Sequence, residues 1–150
     1  MATVIVQEKS GDLQILNDNR YSLQVAKSVS APGGDPSFSL VYLSSFLGPT
    51  MSVSWETQYG LNWSTKVPYP GAKVEYYGNW QACKPGDSYQ LNSTGDWVLS
   101  TNDPSADKNS LNVINNYQAV NIIVGMQDSS TKTWMPVSFF TESTYNRLPY

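Results

Sequence analysis

The chain of 150 residues contains no histidine. Histidine is the commonest general base and a preferred zinc ligand, so its absence excludes Ser-His-Asp and Cys-His catalysis and the usual zinc sites. Neither a glycine-rich phosphate loop nor a dinucleotide-binding fingerprint occurs in the sequence. From these absences we assign no catalytic residue, no metal site and no cofactor.

Cysteine is almost as scarce, because Cys83 is the only one. A single cysteine cannot form an internal disulfide, which agrees with a reducing compartment. Without an imidazole partner, Cys83 is interpreted as a structural thiol and not as a nucleophile. The first nine residues lack the basic start and apolar core of a secretory signal, and no apolar run approaches the roughly 18 residues of a spanning helix. We therefore expect a soluble, cytoplasmic protein.

Charge is also sparse, at 14% of residues, with a net charge of -3 and a pI near 4.7. An average soluble domain carries about 25% charged residues, so much of this surface must be made polar by serine, threonine, asparagine and glutamine. Phosphate neutralisation requires clustered lysine and arginine, and no such cluster occurs. The composition therefore argues against nucleic acid as a partner.

Two acidic arrangements in the sequence are candidate chemical sites. Glu56 and Glu75 could face each other like a glycosidase pair, but both lie on the polar side of their predicted strands, which is typical of solvated acids. Residues 103–109 place oxygen-bearing side chains at alternate positions, as a calcium loop does. However, Lys108 replaces the glycine of the sixth position and Ile114 the glutamate of the twelfth. We interpret both as ordinary polar surface.

Alternation of apolar and polar residues dominates the chain and predicts short strands. Turn residues separate them, and one short helix is predicted within residues 105–114. The length is that of one domain. We therefore predict an all-β fold, a single-domain antiparallel β-sandwich over residues 1–150, with a closed or flattened β-barrel as the alternative. The predicted strands are residues 3–7, 12–16, 21–25, 38–46, 51–56, 72–77, 88–91, 96–100, 117–126 and 134–141.

Two hairpins and one central strand follow from this pattern. Residues 3–7 and 12–16 flank a turn at Gly11, which predicts an opening hairpin. Residues 117–126 form the most continuously apolar run, which predicts a strand covered on both faces. This strand is expected to form a hairpin with residues 134–141. Exposed edge strands in such a sandwich are compatible with a homo-oligomer.

The stretch from Met51 to Trp80 holds three of the five tryptophans. Trp55 and Tyr76 fall on apolar strand faces and are predicted to be core. The other rings lie beside amides near predicted turns, where a ring could stack on a sugar while an amide binds its hydroxyls. The same rings suit a membrane interface. The candidate ligand-binding residues are Tyr59, Asn62, Trp63, Tyr77, Asn79 and Trp80.

A family resemblance rests on this stretch. MSVSWETQYGLNWSTKV followed by VEYYGNW resembles the aromatic-rich region of actinoporin-like proteins, whose β-sandwich is similar to that of fungal fruiting-body lectins. The resemblance covers about a fifth of the chain. It implies recognition of sugars or lipid headgroups by Trp63, Tyr77, Asn79 and Trp80. The pore-forming members have an amphipathic helix before the first strand, whereas no such helix precedes the first predicted strand here.

Three functions remain open from the sequence. The first is a lectin-like, non-enzymatic module that binds a glycan or another small ligand through the turn aromatics and amides. The second is a membrane-active, toxin-like sandwich whose partner is a membrane surface. The third is a small histidine-free enzyme or ligand carrier, of cyclase or isomerase type, with an aromatic-lined cavity. The lectin-like function fits the sequence best, because it needs no histidine and tolerates a low content of charged residues.

Overall fold

β strands make up most of the fold. The computed structural model describes residues 2–28, 41–55, 58–66, 69–70, 72–104, 106–128, 130–143 and 147–148. The strands are β1 (Ala2–Gln7), β2 (Ser22–Ala26), β3 (Val41–Phe46), β4 (Thr50–Trp55), β5 (Tyr59–Ser64), β6 (Gln81–Cys83), β7 (Ser88–Leu91), β8 (Trp97–Leu99), β9 (Asn112–Asn115), β10 (Val120–Gln127), β11 (Trp134–Ser143) and β12 (Arg147–Leu148), and the helix is α1 (Ser10–Asp18).

The strands form two four-stranded sheets and two ribbons. The central sheet has the order β11-β10-β5-β6, and the second sheet has the order β12-β9-β7-β8. β1 pairs with β4 and β2 pairs with β3. Within the described chain no sheet closes on itself, and every pair is antiparallel except β7 and β9, which run parallel. The predicted all-β sandwich is confirmed, with this one parallel pair added.

The hydrophobic core lies between the two four-stranded sheets. Ile122 and Val124 of β10 and Leu61 of β5 pack in one cluster with Leu91 and Val113 of the second sheet. β10 is buried from its first residue to its seventh and lies between β5 and β11. This confirms the predicted central strand and its hairpin with β11.

The register between β5 and β10 decides what each face carries. Leu61 pairs with Val124, and Gly60 pairs with Gly125. Because successive residues of a strand point to opposite faces, Leu61 faces the core while Gly60 and Asn62 face the other side of the central sheet. β5 is therefore covered on both faces, and its glycine and asparagine serve packing there.

The predicted opening hairpin is wrong, because residues 10–18 form α1 and β1 pairs with β4 instead. The run also has helical spacing, since Leu13 and Leu16 are three residues apart and are the half-buried positions of the helix. Asp12 lies in the first turn, where a negative charge favours a helix. The helix ends where Arg20 takes a positive φ of 60°.

The central aromatic stretch is organised differently from its prediction. Residues 59–63, predicted near a turn, form β5, and residues 72–77, predicted as a strand, are irregular. On the side away from β10, β5 pairs with β6, which begins after the bend at Gly78. Packing against both neighbours overrides the poor strand propensity of glycine and asparagine in β5.

The predicted short helix within residues 105–114 is also wrong, because residues 112–115 form β9. The Asn112 side chain explains this difference. Its Nδ2 donates to the carbonyls of Asp87, Asp107 and Ser110 at 3.0–3.1 Å, and its Oδ1 accepts from the Asp107 N–H at 3.0 Å. One buried amide thus replaces the main-chain bonds that a helix would have made.

Some predicted features lie outside the described residues. These are the loop at residues 31–36, the first part of the strand predicted over residues 38–46, and Glu56. Among the described residues, the helical part is too short and too polar to traverse a bilayer.

The turn between β10 and β11 depends on Asp128. Its Oδ1 accepts from the Ser130 and Thr131 N–H groups at 2.8 Å and from the Ser130 hydroxyl at 2.7 Å. These bonds, led by that of the Thr131 backbone, hold the pKa of Asp128 well below its usual range. The charged carboxylate therefore stabilises the folded state.

We expect Asp128→Asn to lower the melting temperature at pH 7, because asparagine cannot supply the charged acceptor. A lowered folded-state pKa contributes stability above the unfolded value of about 3.9, and this is lost as the pH falls through the folded value. The difference from the unmutated protein should therefore shrink between about pH 4 and pH 2. Calorimetry across this range measures it, with Asp18→Asn in α1 as the control that should not lower the melting temperature. An unchanged gap at low pH would contradict this account.

Candidate functional site

The six predicted ligand-binding residues fall on two segments that run side by side. Three belong to β5, and three belong to the irregular segment 72–80 beside its end. The Tyr77 main-chain N–H donates to the Trp63 carbonyl at 3.0 Å, and Asn62 Nδ2 donates to the Gly78 carbonyl at 3.0 Å. These bonds attach segment 72–80 to β5, although the segment lacks regular strand geometry.

Trp63 connects three loops. Its Nε1 donates to the Gly95 carbonyl at 3.0 Å. Its ring lies 6.1 Å from the Tyr77 ring with 28° between the planes, and 5.3 Å from the Tyr117 ring at 58°. The loop surface, as we call it, consists of Lys66 and residues 75–79, 92–96 and 115–118.

Two glycines permit this close approach to Trp63. Gly95 has a positive φ of 84°, and a Cβ there would lie 3.3 Å from the Trp63 ring. A Cβ on Gly78 would collide with the Trp63 indole nitrogen and with Asn62 Oδ1. Because glycine alone has no Cβ, both loops can lie against the indole.

Tyr77 presents a half-exposed ring on the loop surface, with 48% of the residue accessible. The Lys66 Nζ lies 5.9 Å from the centre of this ring and 2.8 Å from Glu75 Oε2. The Tyr77 hydroxyl donates to the same Glu75 oxygen at 3.4 Å. An aromatic face, an ammonium and a carboxylate therefore lie within one small area.

The ion pair in this group is charged over the whole neutral range. The pKa of Lys66 is raised to about 12, chiefly by the hydrogen bond to Glu75 and then by the interaction with Tyr77. The bond to Lys66 lowers the pKa of Glu75. The two side chains expose 64% and 59% of their surface, so solvent screening leaves the pair little effect on stability. The ion pair matters because it places one positive and one negative charge beside the Tyr77 ring.

Asn62 is enclosed, with 0% of its surface accessible. Its Oδ1 accepts from the Trp63 N–H at 2.8 Å, while its Nδ2 binds the Gly78 carbonyl. Both ends of the amide are thereby used within the protein. This burial leaves Asn62 no surface for a ligand, and its role is to hold segment 72–80 against β5.

We expect Asn62→Ala to reduce the free energy of unfolding by about 1–3 kcal/mol, because the half-buried Gly78 carbonyl would lose its donor and a fully buried amide would be removed. Asn79→Ala is the matched control, since Asn79 is exposed and should change stability by less than about 0.5 kcal/mol. Urea unfolding of both variants measures the difference. If Asn62→Ala changed the free energy of unfolding as little as Asn79→Ala does, the Asn62 hydrogen bond would be dispensable.

Trp80 belongs to a separate aromatic stack on the outer face of the central sheet. Its ring lies 5.5 Å from Trp134 with planes 15° apart, and 5.2 Å from Tyr76 in an edge contact. A Cβ on Gly125 would lie 2.6 Å from the Trp80 ring, and one on Gly60 would lie 2.6 Å from the Trp134 ring. The paired glycines of β5 and β10 thus provide the space that the two indoles occupy.

This packing separates the predicted residues into groups. Trp80 is engaged by other rings, and its indole N–H is buried without an acceptor among the described residues. Tyr59 packs against the core and carries the Lys27 Nζ 5.9 Å above its ring. Trp63 and Tyr77 meet at the loop surface with Asn79 exposed nearby in sequence. The structure therefore brings together the Trp63 and Tyr77 pair, and places Tyr59 and Trp80 apart from it.

Sequence reasoning missed three members of the loop surface. Lys66 and Gly95 carried no recognisable motif, and Tyr117 was absorbed into a predicted central strand. From the sequence, Glu75 is a candidate only as an acid opposite Glu56. The signal that could have found it is the alternation of residues 73–77, which places Glu75 and Tyr77 on one side of the segment.

A shallow polar pocket of about 220 Å³ lies elsewhere, lined by hydroxyl and carboxyl groups that include Ser88 and Asp103. The Ser88 hydroxyl donates to Asp103 Oδ2 at 2.7 Å, and the Lys84 N–H donates to Asp87 Oδ2 at 3.1 Å. Its carboxylates are thus bonded to the protein itself. Across the described ranges, no three acidic or cysteine side chains gather as a metal site would need.

Cys83 lies in the core and exposes 5% of its surface. Burial, with a smaller contribution from Asp87, raises the pKa of its thiol to about 12. The thiol therefore stays protonated at neutral pH and is a poor nucleophile.

We expect Ellman's reagent at pH 8 to react with native Cys83 at least about a hundredfold more slowly than with the chain unfolded in guanidinium, because the thiolate is scarce and enclosed. Absorbance at 412 nm follows the reaction. Rapid reaction of one equivalent in the native state would place Cys83 at the surface.

Comparison with protein-family models, curated proteins and solved structures finds no match for this chain. The fold and site by themselves define a class: an all-β sandwich with an aromatic and charged loop surface.

Proposed function

We propose that this protein binds saccharides at the loop surface and does not act on them chemically. The observation that carries the proposal is the half-exposed Tyr77 ring, fixed by Trp63 and flanked by Lys66 and Glu75. Ligand sites typically combine an apolar surface with a few placed polar groups, and these residues supply both.

Each part of the group suits a pyranose ring. The apolar C–H face of a sugar can cover an aromatic ring, and Tyr77 offers one that is half accessible. Glu75 can accept hydrogen bonds from sugar hydroxyls, and Lys66 can donate to them. Both side chains are exposed enough to reach a ligand.

The support beneath Tyr77 favours binding. Trp63 contacts the Tyr77 ring from within the protein, and the Tyr77 N–H is bonded to the Trp63 carbonyl. A ring that is already held in place loses less freedom when a ligand covers it, so less binding energy is spent on ordering it.

The resemblance to actinoporin-like proteins and fungal fruiting-body lectins supports the same proposal. It names Trp63, Tyr77, Asn79 and Trp80 as recognition residues. In the proposed site, Tyr77 contacts the sugar, Trp63 positions Tyr77, and Asn79 lies close by in sequence. Trp80 has a packing role instead, because Trp134 and Tyr76 engage its ring.

We expect Tyr77→Ala to weaken binding of the best saccharide on a glycan array at least about tenfold, or about 1.4 kcal/mol, because the stacking surface is removed. Isothermal titration measures the affinity. Tyr77→Phe should retain most of it, since the ring remains.

The control is Tyr21→Ala, which removes a tyrosine that is even more exposed than Tyr77, at 63% against 48%, and is distant in sequence from the loop surface. It should leave the affinity unchanged. Retained binding by Tyr77→Ala, or absence of any saccharide bound by the unmutated protein, would overturn the proposed function.

A membrane surface is the second candidate, because Tyr69, Tyr76 and Tyr77 expose 77%, 45% and 48% of their area. Tyrosine beside lysine is typical of membrane–water interfaces. Co-sedimentation with liposomes that lack glycolipid distinguishes the two, since a saccharide-binding protein should remain in the supernatant.

A further inference from the structure

The cation beside the Tyr77 ring is already bonded to an anion. Lys66 Nζ lies 2.8 Å from Glu75 Oε2, and the same oxygen accepts from the Tyr77 hydroxyl at 3.4 Å. An acidic sugar would need a free ammonium next to the stacking ring. Here the Lys66 ammonium is already paired with the Glu75 carboxylate, which also places a negative charge beside the ring.

The neighbouring charges do not offset this arrangement. Asp96 is an exposed acid that follows Gly95, whose carbonyl binds Trp63. Lys73 is exposed on segment 72–80, but no ion pair joins it to Glu75 in the described chain. The chain of 150 residues carries a net charge of -3. An approaching carboxylate or sulfate therefore meets a surface whose cation beside Tyr77 is neutralised.

We propose that Glu75 determines specificity at this surface, so that it binds neutral saccharides and discriminates against sialylated, sulfated or uronic ones. The proposal rests on the saccharide binding proposed above. A neutral pyranose can bond to Glu75 and Lys66 without separating them. An acidic sugar must either displace Glu75 from Lys66 or lie beside its carboxylate, and like charges at this distance repel.

Glu75→Gln tests the proposal, because glutamine keeps the shape of the side chain and releases the charge of Lys66. The probes are neutral oligosaccharides on an array, each beside its sialylated or sulfated counterpart. The unmutated protein should prefer the neutral member of each bound pair by at least about threefold, in the range expected of an exposed charge interaction. In Glu75→Gln this ratio should fall toward one or reverse.

Two further variants distinguish the released Lys66 ammonium from the change in net charge as the cause of the altered ratio. Asp12→Asn in α1 changes the net charge by the same amount and should leave the ratio unaltered. Adding Lys66→Ala to Glu75→Gln should abolish the gain in acidic binding, because the gain depends on the released ammonium. The gain should also diminish between 50 mM and 500 mM salt, as electrostatic attraction is screened.

The outcomes distinguish the two proposals. If the unmutated protein binds acidic glycans as well as neutral ones, or if Glu75→Gln leaves the ratio unchanged, the role of Glu75 is refuted while saccharide binding stands. If Tyr77→Ala abolishes binding but Asp12→Asn shifts the ratio as far as Glu75→Gln does, net charge governs selectivity and Glu75 does not. If no glycan binds, both proposals fail.

Discussion

Two adjacent side chains of β5 make the hydrogen bonds on which the loop surface depends. Asn62 binds the Gly78 carbonyl, and Trp63 binds the Gly95 carbonyl. Loops seldom carry enough apolar contact to order themselves, so their main-chain groups need partners within the protein. Because β5 is a buried central strand, it is a rigid base for these bonds, and the loops take their positions from it.

The aromatic residues divide into supporting and exposed rings. Trp80 and Trp134 stack over the paired glycines of β5 and β10, where they cover the outer face of the central sheet. Trp63 lies on the opposite, core-facing side of β5, where it packs against the core and contacts the loops. Tyr77 is an exposed ring of the loop surface, and the Lys66–Glu75 ion pair lies beside it.

Prediction succeeded where a strand has one dominant apolar face or two. The predicted strands at residues 51–56, 117–126 and 134–141 overlap β4, β10 and β11. These strands were predictable because their apolar residues are alternating or continuous and are buried in the fold. It failed for residues 10–18, because Leu13 alternates with Ile15 as in a strand and also has helical spacing to Leu16, and the helix buries no residue that would decide between the two. It failed for β5 because glycine and asparagine resemble turn residues locally, and only the rings packed over them explain their presence in a strand.

The sequence by itself determined the all-β class and excluded histidine-dependent chemistry, since both follow from residue types and their local spacing. It also indicated the aromatic stretch that supplies Trp63 and Tyr77 to the proposed binding surface. Only the tertiary structure decided which of those rings and amides are free. Asn62 and Asn79 are the same residue type within one aromatic stretch, but Asn62 is buried and bonds the Gly78 carbonyl, whereas Asn79 is exposed. That difference depends on contacts between distant segments, which local spacing does not encode.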